Sequence, residues 1–167
     1  KLTLPFIDLG TAPPSNAYLT EADLSAPEKW YPLRVFVCTE CWLVQTEDYA
    51  HRAELFSDNY AYFSSFSTTW LQHAEQYVQS AVQRFSLGND SLVVEVASND
   101  GYLLQYVKNS GIPCLGIEPT TSTAKAARNR GIDVVEEFFG VKLARRLALE
   151  GRRADLMVAN NVLAHVP

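Results

Sequence analysis

Two carboxylates and one cysteine pair are the residues of this chain whose type and spacing can do chemistry. Glu95 lies in the apolar run Val93-Val94-Glu95-Val96, which leads into Ala97-Ser98-Asn99-Asp100-Gly101-Tyr102-Leu103-Leu104. That order reads as a buried strand, a tight turn of small residues and the start of a helix. Such a turn aims backbone N–H groups and a helix N-terminus at whatever lies above the strand's C-terminal end. Glu118 ends the next apolar run, Cys114-Leu115-Gly116-Ile117, and precedes Pro119. A carboxylate about 20 residues past the first turn, at the tip of a second strand, can hold the two hydroxyls of an adenosine ribose. The predicted ligand is an adenosine cofactor.

The turn decides which one. A dinucleotide fingerprint uses three glycines so that the backbone can approach a pyrophosphate closely. Here the corresponding places hold Ala97, Asn99 and Gly101, and Asp100 would oppose a pyrophosphate with the wrong charge. S-adenosylmethionine carries a sulfonium, an ammonium and a carboxylate, so an acidic, amide-rich turn suits it better than NAD. The competing reading is an ordinary strand-to-helix turn with polar caps. Cys38-Thr39-Glu40-Cys41 forms a C-x2-C knuckle, which supplies two of the four thiolates of a structural zinc site. No thioredoxin-like helix follows it, so a redox role is disfavoured. Cys114 falls in a predicted core strand and is expected to be a small buried hydrophobe.

These residues need elements to position them. Residues 1–66 hold short β-like runs, Leu4 to Gly10, Trp30 to Val37 and Trp42 to Gln45, joined by irregular segments containing Pro13-Pro14 and Ala26-Pro27. From Ser67 the period changes. Trp70, Leu71, Ala74, Tyr77, Val78, Ala81, Val82 and Phe85 recur at helical spacing, with Ser67 or Thr68 as the cap and Gly88 as the stop. Strands over 92–97, 114–117, 132–135 and 155–159 then alternate with helices over 101–110, 122–130 and 140–150. That alternation implies right-handed crossovers and a parallel, doubly wound α/β sheet with helices on both faces. A sheet ending at its fourth strand leaves an apolar edge, so the chain is expected to be a fragment.

Composition narrows the class. With 47% hydrophobic and 20% charged residues, the chain is a globular one, and its net charge of −5 argues against gripping nucleic acid through phosphates. No apolar run approaches the roughly 20 residues a membrane span requires. Three cysteines make no disulfide framework and fit a reducing, cytoplasmic compartment.

Taken in order, several segments resemble the sugar C-methyltransferases that act on nucleotide-linked deoxyketohexoses. They are Tyr31-Pro32-Leu33, Cys38 to Gln45, Tyr60-Ala61-Tyr62-Phe63-Ser64-Ser65, Glu95 to Leu104, Gly116 to Pro119, Phe138-Phe139-Gly140 and Asn160-Asn161-Val162-Leu163-Ala164-His165-Val166-Pro167. The resemblance implies a zinc-binding module over 1–66, lacking a first cysteine pair, and the first half of a class I methyltransferase Rossmann-like domain over 67–167. It implies that Glu95, Ala97, Ser98, Asn99, Asp100, Gly101 and Tyr102 wrap the methionine moiety of S-adenosylmethionine. Glu118 and Pro119 would meet the ribose, Phe138 or Phe139 the adenine, and Asn160 and Asn161 the cofactor near its donor methyl. Cys38 and Cys41 would be zinc ligands. Tyr60, Tyr62, Ser64, Ser65 and His165 are the candidates facing a sugar, with Tyr62 and His165 orienting or polarising it; sealing of an interface by the tyrosines and plain packing of His165 stay open. For the Phe pair the alternative is core packing, and for the asparagines a helix cap. The implied chemistry is enolate attack on the methyl group, with the general base in a further C-terminal part. A non-catalytic Rossmann-like binding module, a methyltransferase acting on RNA and an NAD-dependent enzyme are the other readings.

Overall fold

The alternation of elements is realised as two compact units, Lys1–Ala61 and Tyr62–Pro167. The computed structural model describes residues 1–50, 55–56 and 61–162. Tyr60 and His165 therefore lie outside the described residues. The units divide ahead of the change in period at Ser67, because the short segment from Tyr62 to Phe66 packs with the second unit.

The first unit is an antiparallel sheet of three strands in the order β1 (Leu2–Ala12), β2 (Tyr31–Cys38) and β3 (Val44–Thr46). β1 pairs with β2 through three register shifts, so its side chains keep no steady inward face. Cys38 is its one fully buried residue among those described, while Phe6, Leu9 and Trp42 stand exposed. Among its described residues the unit has no apolar core to hold it, which is the situation in which small modules rely on a metal. β3 begins two residues later than the run Trp42 to Gln45 predicts. Trp42 adopts a left-handed φ of 62° and donates its N–H to the Cys38 carbonyl at 2.9 Å, closing the knuckle in place of extending the strand.

In the second unit four parallel strands run in the order β6 (Asp133–Val135), β5 (Cys114–Ile117), β4 (Val93–Val96) and β7 (Leu156–Val158). With the small antiparallel sheet before it, this is the α/β, Rossmann-like class the sequence predicts. Four helices flank the sheet: α1 (Thr68–Phe85), α2 (Leu104–Asn109), α3 (Thr121–Asn129) and α4 (Val141–Leu149). Val93 packs into one cluster with Ala74 and Val78 of α1, Leu104 and Val107 of α2 and Ala127 of α3. Val94 and Val96 turn to the other face, where Leu115, Ile117 and Leu143 and Leu147 of α4 form a second cluster. A strand covered on both faces should be apolar throughout. Glu95, only 1% exposed, breaks that rule on the α1–α2–α3 side.

Helix ends follow local chemistry. The Ser67 side chain accepts the Trp70 N–H and caps α1, as expected. The stop comes at Ser86, in left-handed conformation with φ 51°, before Gly88 is reached. The second helix starts at Leu104, three residues later than its apolar pattern suggests, because Gly101 to Leu103 remain in the turn. Cys114 is half-buried against the first cluster and its thiol, raised by burial, lies 3.9 Å from the Leu104 carbonyl.

Candidate functional site

The turn after β4 keeps the shape of a glycine-rich loop without its glycines. Ala97, Asn99 and Gly101 all take left-handed backbone angles, with φ of 55°, 50° and 77°. Asn tolerates that region because its short amide can bond locally, whereas Ala meets a steric cost of about 1–2 kcal/mol. Replacing Ala97 by Gly removes that cost and adds unfolded-chain entropy of nearly the same size. Ala97→Gly is therefore expected to leave unfolding free energy within about 0.5 kcal/mol of the parent, or to raise it, whereas Ala126→Gly in α3 should cost about 1 kcal/mol. Urea titration of both variants checks this; equal losses at the two positions would rule out strain at Ala97.

Glu118 sits at the tip of β5 with both carboxylate oxygens engaged. Oε2 accepts the Asn99 N–H and Oε1 the Thr120 N–H, each at 2.9 Å. A carboxylate oxygen has two acceptor sites, so each retains capacity for a ligand hydroxyl in a fixed direction. The residue is buried, and the two amides hold it at the mouth of the turn.

Glu95 and Asp100 complete a buried acidic group. Glu95 Oε2, Ser98 Oγ and Asp100 Oδ1 have no hydrogen-bond partner among the described residues. Burial pushes the Glu95 carboxyl well above the usual carboxylate range; the Tyr102 hydroxyl opposes this, and the charges of Glu118 and Asp100 reinforce it. Arg130 ion-pairs with Asp100 at 3.0 Å and neutralises one of the three carboxylates. A turn carrying three buried carboxyl groups and one arginine suits a cation, whose arrival would draw the proton from Glu95, and repels a pyrophosphate. This is the charge that the sulfonium and ammonium of S-adenosylmethionine carry, so the residues fit that group.

The sign of the Glu95 effect can be checked without ligand. Its raised folded-state pKa means that the folded protein keeps a proton the unfolded chain has lost. Stability from Glu95 is thus full below the unfolded carboxyl pKa and falls as pH rises through the folded value. Glu95→Gln should flatten that fall, so its advantage over the parent should grow between pH 5 and pH 8 in urea unfolding. A pH-independent difference between the two proteins would refute a buried, titrating Glu95.

Tyr102 connects the tips of β4 and β7. Its ring is buried and stacks on Trp70 with centroids 5.8 Å apart, and Trp70 stacks in turn on His73. Its hydroxyl reaches Glu95 and accepts from Asn160 Nδ2 at 3.2 Å. That bond uses the amide's donor side, leaving Asn160 Oδ1 to act as an acceptor. Burial, and next the Glu95 charge, raise the Tyr102 phenol above its usual value, so it stays a neutral hydroxyl. Asn161 follows with φ 55° and is exposed.

The remaining predicted residues fall in three kinds of place. Ser98 is fully buried and points at β5, where a Cβ on Gly116 would come within 2.4 Å of its hydroxyl. Phe139 packs against the α4-side cluster, and Phe138 is half-buried beside it in the chain. Pro119 is half-buried between Glu118 and Thr120. Tyr62, Ser64 and Ser65 do reach the turn: the Tyr62 carbonyl accepts from Asn99 Nδ2 at 3.0 Å, and the Ser64 N–H donates to Asn99 Oδ1 at 2.9 Å. The Ser65 hydroxyl is engaged with Asp100 and with Arg130 Nη2, the latter at 2.9 Å. Arg130 was not among the predicted residues. It lies at the end of α3 in an ordinary helix-end position for a cation, and nothing local distinguishes it from Arg128.

In the first unit, Cys38 and Cys41 share the knuckle. Backbone N–H groups of Glu40 and Cys41, and the Cys41 side chain, bond the Cys38 sulfur and lower its thiol to about 7. That environment favours a thiolate, the form that ligates zinc. The two cysteines fit half of a tetrahedral site. Among the described residues no group of three or more His, Cys, Asp or Glu converges on one point. No helix among the described residues is long and apolar enough to cross a membrane.

Residues 1–56 match the family model Methyltransf_13, described as "Putative zinc binding domain". Over 164 residues, 98% of the chain, the sequence is 29% identical to the C-methyltransferase NovU of Streptomyces niveus. The chain spans 39% of that relative's length. A SAM-dependent methyltransferase from Archaeoglobus fulgidus superposes with a TM-score of 0.33 and 15% identity, over 48% of this chain and 38% of its own. YjhP from E. coli superposes with a TM-score of 0.31 and 13% identity, over 62% and 34%.

Proposed function

We propose that this chain belongs to the sugar C-methyltransferase family and supplies the zinc-binding module and the cofactor-holding strands of an S-adenosylmethionine-dependent enzyme. Its acceptor in this reading is a carbon beside the keto group of a nucleotide-linked deoxysugar. The observation that carries the cofactor assignment is the buried acidic turn, with three carboxylates and one arginine beneath the strand tips. The sugar rests on the family resemblance.

When bound, S-adenosylmethionine supplies an electrophilic methyl group. Glu118 would accept the ribose hydroxyls, and Glu95 and Asp100 would lie beside the sulfonium and ammonium end, where a bound cation would draw the proton from Glu95. Ala97 to Tyr102 give the wall of the methionine pocket, Pro119 and the Phe138–Phe139 pair border the ribose and adenine, and Asn160 and Asn161 present amide groups at the β7 tip. On the sugar side, Tyr62 is the candidate among the described residues for orienting the keto group, and Tyr60 and His165 stay candidates from the resemblance alone. The keto group acidifies the neighbouring carbon, and a base within hydrogen-bond reach removes its proton. The enolate so formed must be held at near-attack distance, so positioning supplies much of the rate. Cys38 and Cys41 would hold zinc together with two further ligands, which would order a module whose described residues form no apolar core.

Calorimetric titration of S-adenosylmethionine into the full-length, zinc-loaded protein, with NAD as control, tests the reading. Saturable binding of the first without the second supports it. A folded, metal-loaded protein that takes neither overturns it and leaves a non-catalytic Rossmann-like module.

A further inference from the structure

We infer that residues 62–66 form a strap tied across the cofactor turn, and that Asn99 and Arg130 are positioning residues that set cofactor affinity by holding it there. The inference rests on the S-adenosylmethionine reading for its ligand, but its geometry is independent of that reading.

The first tie is Asn99. Its amide bonds the strap twice, giving Nδ2–H to the Tyr62 carbonyl at 3.0 Å and accepting the Ser64 N–H on Oδ1 at 2.9 Å. Both partners are backbone groups on either side of Phe63, so one side chain fixes the strap's direction as well as its distance. The left-handed φ of 50° at Asn99 turns its amide toward the strap. The Asn99 backbone N–H meanwhile donates to Glu118 Oε2 at 2.9 Å. One residue therefore joins the strap to the carboxylate proposed for the ribose.

The second tie is Arg130. Its guanidinium pairs with Asp100 Oδ2 at 3.0 Å, donates to the Asp100 carbonyl and gives Nη2–H to Ser65 Oγ at 2.9 Å. Ser65 closes the ring by donating to Asp100. The Asp100 side chain is 1% exposed and the Arg130 side chain 35%, so this pair is shielded better than a surface ion pair. A planar fork meets these acceptors from two nitrogens in a fixed geometry, whereas an ammonium presents its donors from one nitrogen only.

Apolar burial in the strap is slight: Phe66 is largely exposed and Phe63 half-buried beside it, with Ser64 the buried residue of its single 3-10 turn, Ser64–Phe66. Its place over the turn therefore leans on polar ties at two consecutive residues, Asn99 and Asp100. The ties also give the missing glycine at position 99 a purpose. A pyrophosphate lying over the turn would need the space that the Asn99 amide and the strap occupy, so the same contacts that shape the S-adenosylmethionine pocket exclude a dinucleotide.

The test uses the full-length protein as parent, Asn99→Ala, Arg130→Ala, Arg130→Lys and the double alanine variant. Hydrogen exchange across 62–66 is read without ligand, and S-adenosylmethionine affinity by calorimetry. Each alanine variant should speed exchange in the strap, leave α1 and β4 protected, and weaken binding about 10-fold, the worth of one well-placed hydrogen-bond pair. Arg130→Lys should fall between parent and alanine, because it keeps the charge and loses the fork. Both ties hold one strap, so the double variant should be no more than about threefold worse than the poorer single. Unchanged exchange at 62–66, or affinity within twofold of the parent in both single variants, would overturn the inference. Losses that multiply in the double variant would also overturn it, by showing two independent sites. If the parent itself binds no S-adenosylmethionine, the cofactor reading fails, while the exchange data still decide whether the strap is tied. Arg130→Lys retains the Asp100 ion pair and keeps the question open to measurement should either alanine variant fail to fold.

Discussion

Replacing Glu118 by Ala should weaken S-adenosylmethionine binding by the full-length protein at least about 100-fold, since two hydrogen bonds to a carboxylate are each worth about 1.5–3 kcal/mol. The structure adds a second, separable loss. Glu118 is the acceptor for the Asn99 and Thr120 N–H groups, and Thr120 is fully buried. Each amide left without a partner costs about 1–3 kcal/mol of stability. Glu118→Gln separates the two effects. It keeps one oxygen for one amide and turns an NH2 group toward the other, so it should also lose stability while retaining one acceptor for the ribose. Affinity should then rank parent above Gln above Ala, measured by calorimetry at a temperature where all three are folded. Affinity of Glu118→Ala within threefold of the parent would remove Glu118 from the site, whatever happens to its unfolding midpoint.

Much of this arrangement was legible because it is local. The apolar run around Glu95 and the helical spacing before it place a strand and a helix, and the strand order then puts Glu118 one strand away from it. The acidic residue at each strand tip could be read for the same reason, since each is the one charge in an apolar run. Groups that meet only after folding could not be read. Ser65 and Arg130 are 65 residues apart in sequence, and Ser64 and Asn99 are 35 apart. No spacing rule links them, so Ser64 and Ser65 read as sugar-facing hydroxyls when the structure engages the Ser64 N–H and the Ser65 hydroxyl with the turn. The late start of β3 and the early stop of α1 share another cause. Trp42 and Ser86 take left-handed angles that their residue types do not announce, and glycine-based signals miss them. At the turn, positions 97 and 99 lack glycine yet keep the left-handed backbone, so what changes there is the side chain standing on it.

That retained backbone makes Gly101 the most sensitive position in the turn, and Gly101→Ala should destabilise the protein by about 2–4 kcal/mol. Its φ is 77°, and a Cβ there would lie 2.4 Å from Ile132 Cδ1 and 3.3 Å from the Ala127 Cβ. Ile132 and Ala127 are both buried in the α1–α2–α3 cluster, so neither can step aside into solvent. Strain and overpacking act together, and the gain from a stiffer unfolded chain, about 0.4–1 kcal/mol, offsets only part. Gly131→Ala is the matched control. Its φ of 72° carries the same strain, but the atom its Cβ would meet is the exposed Lys108 amine, which can swing away. Its loss should stay near 1 kcal/mol, the strain alone. Urea unfolding of both variants measures the difference, and equal losses would show that close packing of α3 beneath the turn is not what position 101 requires. If the difference is found, Gly101 serves α3 as much as the ligand: the glycine lets the helix that carries Arg130 approach the turn that carries Asp100. The ion pair over the strap would then depend on a missing side chain beneath it, and Gly101→Ala should loosen 62–66 in hydrogen exchange under conditions where the rest of the sheet is still folded.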